Sequence, residues 1–492
     1  MMKLKNIFSK LSKDQLGKIS ISGISDDSRL VNKGDLFFII ERRNFDIFSV
    51  LKEIEPKVSA FVARSSQSKK LKNIIKDTPI IYVDNIQKEF YRSVDLFYEF
   101  KHNDLKFIGV TGTNGKTTTC MLIYHLLKEL KIPASLISTV KYCIGPKVYE
   151  AERTTPGFLT LRKFLKEAKD SGSHFLIIEV SSHAIEQERI KGIKFERCLF
   201  TNLGRDHLDY HKTPEKYFKS KKKLFLDNKR TPALINIDDS CGVKLFRSLP
   251  KSLTYGIKDI SDFKISKVSL TKSGSHFDIE YDNKIYSIRT QLCGRHNVYN
   301  VAGAFGLIAS LGISPRKIAD KILSFTNVEG RLEVIGENIF IDYAHTPDAL
   351  ETVIMALRNI GYENIISVFG CGGDRDKGKR KLIGQVADKY SDFSFVTSDN
   401  PRSEDPELIC SQITKGFQSK NYEVVIDRKQ AIKKAIGLLV KERKSLNPKN
   451  KKSCLLVAGK GHENYQIVGS KKIPFKDSEV IRTIIKDGNN PS

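Results

Sequence analysis

The stretch GVTGTNGKTTT at Gly109–Thr119 decides the fold expected for the middle of this chain. It follows a short apolar run at Lys106–Val110, which predicts a buried strand, and it leads into a helical pattern from about Lys116 to Leu130. A strand, a turn containing glycines and a helix that begins with Lys-Thr form a phosphate-binding loop, because backbone N–H groups and the helix N-terminus attract phosphate oxygens.

The spacing of this loop departs from the strict G-x-x-x-x-G-K-T pattern. The first glycine of that pattern would stand at position 110, but Val110 is there and the glycine is Gly109. An ordinary glycine-rich turn that opens a helix is therefore the alternative. Because Gly115, Lys116 and Thr117 follow a predicted buried strand in the required order, we expect a nucleotide phosphate site.

Strand-like apolar runs alternate with helical patterns on both sides of the loop. Such alternation is typical of α/β folds with a doubly wound, mostly parallel sheet. The segment Phe263–Thr290 instead alternates apolar and polar residues, which predicts antiparallel strands, and Glu89–Lys101 predicts a helix. The other strand-like runs are Asp35–Ile40, Ala60–Ala63, Ile80–Val83, Leu176–Val180, Cys198–Thr201, Ile339–Asp342, Ile365–Phe369, Phe393–Thr397 and Cys454–Ala458.

The length of 492 residues corresponds to about three domains at roughly 150 residues each. We expect an α/β protein whose smaller N-terminal α/β domain covers residues 1–103. The central domain, residues 104–328, would contain a P-loop-type, doubly wound, mostly parallel sheet. The C-terminal domain, residues 329–492, would be Rossmann-like. Clefts between such domains are common ligand sites.

The formal charge of +26 allows three interpretations. A basic surface could bind nucleic acid or membrane, it could attract a phosphorylated, carboxylate-rich substrate, or it could consist of lysines on solvated faces. The clusters at Lys219–Lys223 and Lys449–Lys452 stand mostly among polar residues, without the interleaved aromatic residues of a nucleic-acid stacking surface. This pattern favours solvated faces.

The eight cysteines are dispersed and contain no CxxC pair, which argues against a zinc, iron–sulfur or disulfide site and fits a reducing cytoplasm. No apolar run reaches the roughly 18–20 residues of a membrane helix. The segment Met1–Lys18 lacks the apolar core of a signal peptide. We therefore expect a cytoplasmic protein that neither inserts into membranes nor binds nucleic acid.

Eight further motifs follow the loop along the chain. Together with the loop, their order and spacing resemble the Mur ligase superfamily, which also contains the folylpolyglutamate synthetases. The resemblance is strongest to the branch that adds the third residue of a peptide, and it extends from about Ser28 to Glu463. The motifs are EVSSH at Glu179–His183, TNLGRDHLDYH at Thr201–His211, GRHNVYNVAGA at Gly294–Ala304, EGRLE at Glu329–Glu333, DYAHTPDAL at Asp342–Leu350, GCGGDRDKGKR at Gly370–Arg380, DNPRSEDP at Asp399–Pro406 and GKGHE at Gly459–Glu463.

The resemblance implies an ATP-dependent acid–amino-acid ligase that activates a carboxylate as an acyl phosphate and forms an amide, releasing ADP and phosphate. In that branch, meso-diaminopimelate is joined to the D-glutamate of UDP-N-acetylmuramoyl-L-alanyl-D-glutamate (UDP-MurNAc-L-Ala-D-Glu) during cytoplasmic peptidoglycan precursor synthesis. We expect a monomer with ATP as cosubstrate and Mg²⁺ as cofactor. The N-terminal domain would bind the UDP-sugar, the central domain ATP and the C-terminal domain the amino acid.

By the same resemblance, catalysis and Mg²⁺ binding share several residues. Asn297 would approach adenine, Arg331 the phosphates and Asp342 the ribose or phosphate. The expected catalytic residues are Lys116, Glu179, His207 and Lys221, and the expected metal ligands are Thr117, Glu179, His207 and Lys221. The expected ATP-binding residues are Gly112, Thr113, Asn114, Gly115, Lys116, Thr117, Thr118, Asn297, Arg331 and Asp342.

The metal role of Lys221 depends on a modification. Members of the family often read YFxAKxKLF where this chain reads YFKSKKKLF at Tyr217–Phe225. This alignment equates Lys221 with the family's carbamylated lysine (N6-carboxylysine), whose carbamate is an oxygen ligand suited to Mg²⁺. For Lys221 and its neighbours Lys222 and Lys223, a solvated charge run is the alternative.

The resemblance also implies a site for UDP-MurNAc-L-Ala-D-Glu. Ser28, in DDSR, matches the serine on the uridine side, and Thr154 and Thr155 match contacts to the peptidyl group. The segment ERRNFD at Glu41–Asp46 departs from the glycine-rich segment that is usual there. Arg43 could still meet the pyrophosphate. The expected binding residues are Ser28, Arg43, Asn44, Phe45, Thr154, Thr155, Ser181, Gln187 and Arg189.

The incoming amino acid would be selected by Arg402. Diaminopimelate differs from lysine by a carboxylate on its far carbon, and a guanidinium is the preferred partner of such a carboxylate. A lysine substrate would leave a desolvated Arg402 unpaired. The alternative for Arg402 is an exposed arginine in a polar loop without a role in binding. Glu463 would hold an ammonium group. The expected diaminopimelate-binding residues are Arg375, Asp399, Asn400, Pro401, Arg402, Gly459 and Glu463.

The sequence also allows other functions. The lysine-adding ligase of the family differs at the arginine, and a folylpolyglutamate synthetase should lack the DNPR and GGDRD pair. A basic P-loop ATPase that depends on nucleic acid would explain the charge of +26, although no helicase motif supports it. A non-catalytic binding protein would need a broken loop, whereas Lys116 and Thr117 are intact.

Overall fold

The computed structural model describes residues 1–11, 14–42, 45–101, 103–249, 251–444 and 452–488. Three main sheets follow one another along the chain, and each is covered by helices. Parallel strands dominate all three sheets. The expected α/β class with a doubly wound, mostly parallel central sheet is confirmed.

The N-terminal sheet has four strands in the order β3-β4-β5-β6, and all its pairings are parallel. A separate antiparallel pair joins β1 to β2. Short 3-10 turns occur at Ser9–Leu11, Gln15–Lys18, Ser28–Leu30, Ile47–Val50, Glu55–Lys57 and Ser65–Gln67. The elements are β1 (Met2–Lys3), α1 (Leu4–Ile7), β2 (Ser20–Ile21), β3 (Gly23–Ser25), β4 (Asp35–Phe38), α2 (Leu51–Ile54), β5 (Val58–Arg64), α3 (Ser68–Lys72), β6 (Ile80–Val83) and α4 (Ile86–Phe97).

Helix α4 lies earlier than the predicted helix at Glu89–Lys101. It begins at Ile86 because Asn85 caps it, accepting a hydrogen bond from the backbone N–H of Lys88. It ends at Phe97, just before Glu99 adopts a left-handed backbone conformation with φ of 51°. The predicted helix is therefore present, but its predicted bounds are wrong, because the Asn85 cap starts the helix before Glu89.

The central sheet has eleven strands in the order β10-β9-β8-β11-β7-β12-β13-β14-β15-β16-β17. The seven neighbouring strands from β8 to β15 in this order, β8-β11-β7-β12-β13-β14-β15, pair in parallel. Strands β9 and β10 pair antiparallel at one edge, and β15–β17 form the predicted antiparallel segment. The elements are β7 (Lys106–Thr111), α5 (Lys116–Glu129), β8 (Ala134–Ile137), β9 (Lys141–Ile144), β10 (Lys147–Glu150), α6 (Phe158–Asp170), β11 (Phe175–Glu179), α7 (Ser182–Glu186), β12 (Phe195–Phe200), α8 (Leu208–His211), α9 (Pro214–Leu226), β13 (Ala233–Asn236), α10 (Ser240–Arg247), β14 (Leu253–Gly256), β15 (Phe263–Thr271), β16 (Gly274–Tyr281), β17 (Lys284–Thr290), α11 (Arg295–Ala309) and α12 (Pro315–Ile322).

Strand β7 stands in the middle of this sheet and faces a hydrophobic core on each side. Ile108 and Val110 pack into the core beneath α5 and α11, whereas Phe107 packs into the core on the opposite face. Gly109 lies on the Phe107 side, where an added Cβ would come within 2.8 Å of the Phe195 ring. This glycine therefore permits close packing within the sheet and is not part of the phosphate turn.

The C-terminal sheet has six strands in the order β18-β19-β23-β20-β21-β22, and only the β18–β19 pairing is antiparallel. A small hairpin joins β24 to β25. The elements are β18 (Glu333–Gly336), β19 (Ile339–Asp342), α13 (Pro347–Asn359), β20 (Asn364–Phe369), α14 (Gly378–Tyr390), β21 (Phe393–Val396), α15 (Pro406–Thr414), β22 (Tyr422–Val424), α16 (Arg428–Lys444), β23 (Ser453–Ala458), β24 (Tyr465–Val468), β25 (Lys471–Pro474) and α17 (Asp477–Gly488).

Domain boundaries near residues 103/104 and 328/329 remain a proposal. It is supported by the three main sheets, which occupy residues 23–83, 106–290 and 333–458 without exchanging strands. Among the described residues, no helix combines the length and the apolar character needed to cross a membrane.

Candidate active site

The loop after β7 has the geometry of a phosphate-binding turn. Gly115 has φ of 81° and directly precedes α5, so that the helix N-terminus opens onto the turn. Loop residues are held from the neighbouring segment after β12: the backbone N–H groups of Thr113 and Asn114 donate to Asn202, at 2.9 Å each. The turn is thus fixed by the sheet before any ligand binds.

Lys116 and Thr117 stand at the start of α5, where the sequence predicts contact with phosphate and metal. The Lys116 Nζ donates to the Thr113 carbonyl oxygen at 2.7 Å, and burial lowers the pKa of this lysine. The Thr117 hydroxyl lies 3.1 Å from both carboxylate oxygens of Glu179, at the end of the adjacent strand β11. The parallel pairing of β7 with β11 brings these two side chains together.

A residue from the C-terminal sheet region completes this cluster. Arg331 Nη2 donates to the Thr117 hydroxyl at 3.0 Å, and its guanidinium lies over the Tyr343 ring at 4.7 Å. Asp342, at the end of β19, accepts the backbone N–H groups of Leu332 and Ala344, both at 2.7 Å. Burial raises the pKa of Asp342. Arg331 therefore reaches the loop from across the cleft, and Asp342 lines the same cavity.

Asn297 lies on the first turn of α11, on the other side of the loop. Its side chain donates to the Cys293 carbonyl oxygen at 2.8 Å and accepts from Asn300 at 2.9 Å. Asn300 in turn approaches the loop so closely that a Cβ on Gly115 would lie 2.2 Å from its Oδ1. The helix expected to meet adenine is therefore packed directly against the phosphate turn.

Lys221 is a buried lysine on α9 with 1% exposure. Its Nζ donates to the Gly112 carbonyl oxygen at 2.7 Å and lies 4.5 Å from the centre of the Tyr217 ring. Burial, reinforced by the positive charge of Lys116, holds the pKa of Lys221 well below its usual range. Lys222, by contrast, donates to Ser248 at an exposed position. The structure thus separates Lys221 from the lysines beside it in sequence.

His207 belongs to a group of aromatic side chains next to Lys221. It adopts φ of 53° before α8, its Nε2 lies 3.4 Å from Asp206, and its ring centre lies 4.7 Å from that of His183. Burial lowers the pKa of His207 to about 3, although Asp206 opposes the shift. The imidazole is therefore neutral at physiological pH, as a metal-associated histidine must be.

Five residues expected to contact the peptidyl group gather at the end of β11. The Thr155 hydroxyl donates to the Glu179 carbonyl oxygen at 2.6 Å, and Ser181 caps α7. Arg189 Nη1 donates to the Thr155 carbonyl oxygen at 2.8 Å, and its Nη2 donates to Gln187 at 2.6 Å. Thr154 accepts a hydrogen bond from the Thr139 hydroxyl at 3.0 Å. Hydrogen bonds thus bring these residues together beside Glu179.

The uridine-side residues are less completely described. Ser28 begins a 3-10 turn capped by Asp27, and Phe45 is 47% exposed. Arg42 pairs with Asp26 at 2.8 Å, so the atypical Glu41–Asp46 segment is tied to the DDSR motif. Arg43 and Asn44 lie outside the described residues.

The residues expected to bind the amino acid form a second cluster at the ends of β20, β21 and β23. Arg402 Nη1 donates to the Gly373 carbonyl oxygen at 2.7 Å, and burial together with Arg375 lowers its pKa. Asn400 donates to Glu463 at 2.8 Å, and a Cβ on Gly459 would lie 2.8 Å from the Asp399 carboxylate. Pro401 connects these residues within the same loop, and its carbonyl oxygen lies against Gly373.

Four further residues organise these clusters and were not assigned from the sequence. Lys460 is fully buried and donates to Glu463 at 2.9 Å and to Asn400 at 3.2 Å. Arg380, also fully buried, holds Glu404 and the Gly372 carbonyl oxygen behind Arg402. The Thr139 N–H donates to Glu179 at 2.9 Å. Lys460, Arg380 and Asp206 stand within quoted motifs, whereas Thr139 carries no sequence signal.

One cavity of about 580 Å³ joins most of the expected ATP, metal and peptidyl residues. Its described lining includes neither Ser28 nor Arg402, so the uridine and amino-acid clusters lie beyond it. The expected residues that line it are Thr113, Asn114, Gly115, Lys116, Thr117, Thr118, Thr154, Glu179, Ser181, His207, Lys221, Asn297, Arg331 and Asp342.

Comparison with known proteins agrees with this geometry. The Mur ligase middle domain matches residues 110–308, and the Mur ligase glutamate ligase domain matches residues 330–461. The UDP-N-acetylmuramoyl-L-alanyl-D-glutamate–2,6-diaminopimelate ligase 1 of Clostridium acetobutylicum is 38% identical over 99% of this chain and 100% of its own length. The corresponding ligase of Aquifex aeolicus is 40% identical over 94% of each chain.

A solved structure of a UDP-N-acetylmuramoyl-L-alanyl-D-glutamate–2,6-diaminopimelate ligase superposes over 100% of both chains with a TM-score of 0.64 and 28% identity. The phosphate turn, the cleft facing it and these full-length similarities lead to one conclusion. The chain belongs to the Mur ligase family of ATP-dependent, amide-forming ligases.

Proposed function

We propose that this ligase joins meso-diaminopimelate to the D-glutamate of UDP-MurNAc-L-Ala-D-Glu, with conversion of ATP to ADP and phosphate. The observation that carries this proposal is the pair Arg375 and Arg402 beside the carboxylates Asp399 and Glu463. The substrates named for the relatives agree with it. We further propose that the enzyme is a cytoplasmic monomer of peptidoglycan precursor synthesis.

The first step transfers the γ-phosphate of ATP to the side-chain carboxylate of D-glutamate. Two anions must approach each other, so positive charge has to lie between them. Lys116 at the turn and Arg331 from the opposite wall supply this charge, because both lie beside Thr117 at the start of α5. The products of the step are ADP and an acyl phosphate.

The residues present fit a Mg²⁺ ion. No group of three His, Cys, Asp or Glu side chains within the described ranges is arranged to hold a metal. Mg²⁺ commonly uses one or two protein oxygens together with water and substrate phosphates, and Thr117 and Glu179 provide such oxygens. Carbamylated Lys221 and His207 would complete the proposed set. When bound, the ion would neutralise charge on the phosphates.

The peptidyl carboxylate would be oriented at the end of β11. Thr154, Thr155 and Ser181 present hydroxyl groups beside Glu179, and Arg189 provides a partly buried cation. A guanidinium that is already fixed by Gln187 can bind a carboxylate with little loss of conformational entropy. We propose that these residues hold the D-glutamate so that its side-chain carboxylate faces the γ-phosphate.

The incoming amino acid would be recognised at both charges of its far end. Arg402, supported by Arg375, would bind the carboxylate that lysine lacks, and Glu463 would bind the ammonium group. Partial burial, followed by the like charge of Arg375, lowers the pKa of Arg402, which supports a role for this arginine in binding an anion. A lysine substrate would leave this arginine unpaired, at a cost of about 2–5 kcal/mol.

The deciding experiment is an amino-acid panel in a ligation assay that measures phosphate release and product mass. Each reaction contains ATP, Mg²⁺, UDP-MurNAc-L-Ala-D-Glu and one amino acid, namely meso-diaminopimelate, L-lysine or L-glutamate. We expect turnover with meso-diaminopimelate. Faster turnover with lysine would reject the proposed substrate, and phosphate release stimulated by RNA or DNA alone would reject the proposed function.

A further inference from the structure

The hairpin β24–β25 begins two residues after Glu463, where the last of the quoted motifs ends. Its outer strand β25 is exposed along its whole length, whereas β24 is partly buried at Tyr465–Ile467. An isolated two-stranded hairpin is at best marginally stable in water, so this one needs a partner in the fold. The partner is the loop Asp399–Arg402, which carries residues expected to bind diaminopimelate.

The hairpin binds both polar backbone groups of Arg402. The N–H of Arg402 donates to the Ile467 carbonyl oxygen at 3.0 Å, and the N–H of Gly469 donates to the Arg402 carbonyl oxygen at 2.7 Å. Arg402 and Val468 thereby form an isolated parallel β-bridge. The main chain of Arg402 is therefore held by the hairpin on both sides.

Arg402 adopts a backbone conformation that needs such support. Its φ of 53° lies in the left-handed region, which is unfavourable for a residue with a Cβ. Residues persist in this region where the surrounding contacts over-determine them, and they cluster at ligand sites. The conformation also sets the direction in which the side chain leaves the loop, and Nη1 then donates to the Gly373 carbonyl oxygen at 2.7 Å.

Two side chains strengthen the contact between hairpin and loop. Gln466 Nε2 donates to the Asp399 carbonyl oxygen at 2.6 Å. The Oδ1 of Asn400 accepts the backbone N–H of Ile467 at 2.9 Å, and its Nδ2 donates to Glu463 at 2.8 Å. The hairpin is thus connected to the residues expected to bind each charge of the far end of the amino acid.

The hairpin also meets the central sheet, but through a weaker contact. Asn464 donates to Glu150 of β10 at 3.3 Å, and Lys472 lies 4.0 Å from the same carboxylate. The side chains of Glu150 and Lys472 are 66% and 59% exposed, and ion pairs at such positions contribute little to stability. Asn400, by contrast, is only 3% exposed. The bonds to the loop therefore form the main attachment of the hairpin.

We propose that the hairpin β24–β25 determines amino-acid specificity by holding Arg402 in place, and that Gln466 is a positioning residue that acts through Arg402. This inference rests on the proposed role of Arg402 in binding the far carboxylate of diaminopimelate. A guanidinium pairs well with a carboxylate only in a defined geometry, and a loop that is already ordered binds at a lower entropic cost. Loss of the Gln466 bond lets the loop leave this geometry.

The test replaces Gln466 by methionine, which keeps the length of the side chain but cannot donate to Asp399. Gln466→Ala is the second variant should the first fail to fold. Gln430→Ala, at an exposed glutamine of α16, is the matched control. Each substitution is made in wild-type protein and in Arg402→Ala, and thermal unfolding and ADP binding verify folding.

Two measurements separate amino-acid recognition from the earlier step. Exchange of labelled ADP into ATP, with UDP-MurNAc-L-Ala-D-Glu and without amino acid, reports acyl phosphate formation, and ligation gives kcat/KM for meso-diaminopimelate. We expect Gln466→Met to lower this kcat/KM by roughly 10- to 100-fold, the effect of a displacement of about 1 Å, and to leave exchange near the wild-type rate. In Arg402→Ala the same substitution should have little further effect, because residues that act through one another are not additive.

A kcat/KM near the wild-type value in Gln466→Met, a parallel fall in exchange, or losses that multiply in the double variant would overturn the proposal. An equal loss in Glu150→Ala would also overturn it, because the hairpin would then act through the central sheet. Full use of diaminopimelate by Arg402→Ala would remove the basis of the inference and leave the ligase function intact. If wild-type protein ligates lysine faster, the proposed substrate fails, and the same comparison made with lysine decides the role of Gln466.

Discussion

Lys221 shows how burial converts a common side chain into a reactive one. Loss of water and the nearby charge of Lys116 lower its pKa, and the remaining hydrogen bond goes to a carbonyl oxygen. Above its folded pKa the lysine is a neutral amine, the form that reacts with CO₂ to give a carbamate. As the pH falls through that pKa the amine becomes protonated and this reactivity is lost.

We expect the carbamate carbon of Lys221 to give a distinct ¹³C NMR signal in wild-type protein equilibrated with ¹³C-bicarbonate. Lys221→Arg should remove this signal and lower the ligation rate by at least about tenfold, because an expected metal ligand is lost. Lys222→Arg is the matched control and should keep both. Persistence of the signal in Lys221→Arg would show that another lysine is modified.

Arg402 is the residue at which substrate choice can be tested most directly. Replacement by alanine leaves the far carboxylate of diaminopimelate without its partner, at a cost of about 2–5 kcal/mol. This cost should lower kcat/KM for diaminopimelate by roughly 30- to 5,000-fold. The KM for ATP should change little, because Arg402 does not line the ATP cavity.

The control for Arg402→Ala is Arg443→Ala, which removes a surface arginine of α16 that pairs with Glu337. Steady-state kinetics with each substrate varied in turn provide the measurement. An equal loss with diaminopimelate and ATP would mean that Arg402 supports the fold of its loop rather than substrate selection.

At the scale of single elements, the turn between β7 and α5 depends on Gly115. Its φ of 81° is costly for any residue with a Cβ, and a Cβ there would lie 2.2 Å from Asn300 Oδ1. Gly115→Ala should therefore destabilise the protein by about 1–3 kcal/mol and weaken ATP binding. Calorimetric titration of ATP and thermal unfolding measure the two effects.

Gly437 offers a control of the opposite sign. It lies within helix α16, where an added Cβ would meet nothing within 4 Å. Gly437→Ala should stabilise the protein by about 0.5–1 kcal/mol, since alanine loses less backbone entropy in a helix. If Gly115→Ala bound ATP as tightly as the wild type, the turn would not be the phosphate site.

Element bounds also show where sequence patterns succeed. The apolar runs predicted some strands of each main sheet, because a strand buried on both faces must be apolar along its length. They did not include β8 and β13, although both strands are buried along their length. Helix α4 begins earlier than predicted because its cap, Asn85, lies before the helical pattern. Gly109 stands one residue before the first glycine position of the G-x-x-x-x-G-K-T pattern. In the structure it belongs to strand β7 and packs against Phe195.

At the scale of the whole molecule, contacts across the cleft hold the C-terminal region against the central sheet. Asp348 accepts the backbone N–H of Arg205 at 2.9 Å, and Arg331 reaches Thr117. Asn464 donates to Glu150 at the rim. These few polar contacts span a large cleft, so we expect ligands to strengthen a closed arrangement.

Small-angle X-ray scattering should detect this closure as a smaller radius of gyration when a non-hydrolysable ATP analogue and UDP-MurNAc-L-Ala-D-Glu are added. Asp348→Ala should weaken the change, because it removes a contact across the cleft. Asp259→Ala, at an exposed ion pair of the central region, is the control. An unchanged radius in the wild type would contradict closure on substrate binding.

The sequence by itself determined the α/β class, the phosphate turn and the family, because each depends on local order along the chain. A strand, a turn and the Lys-Thr that opens the helix are neighbours in sequence, and apolar periodicity reports burial directly. The eight ordered motifs likewise identified most side chains that line the cavity.

Only the tertiary structure decided which of these side chains meet. Thr139 carries no motif, yet its N–H binds Glu179 because β8 and β11 are neighbours in the sheet. Lys221 differs from Lys222 only through the face of α9 that is buried. Such properties arise from desolvation and from contacts between distant segments, which no local pattern encodes.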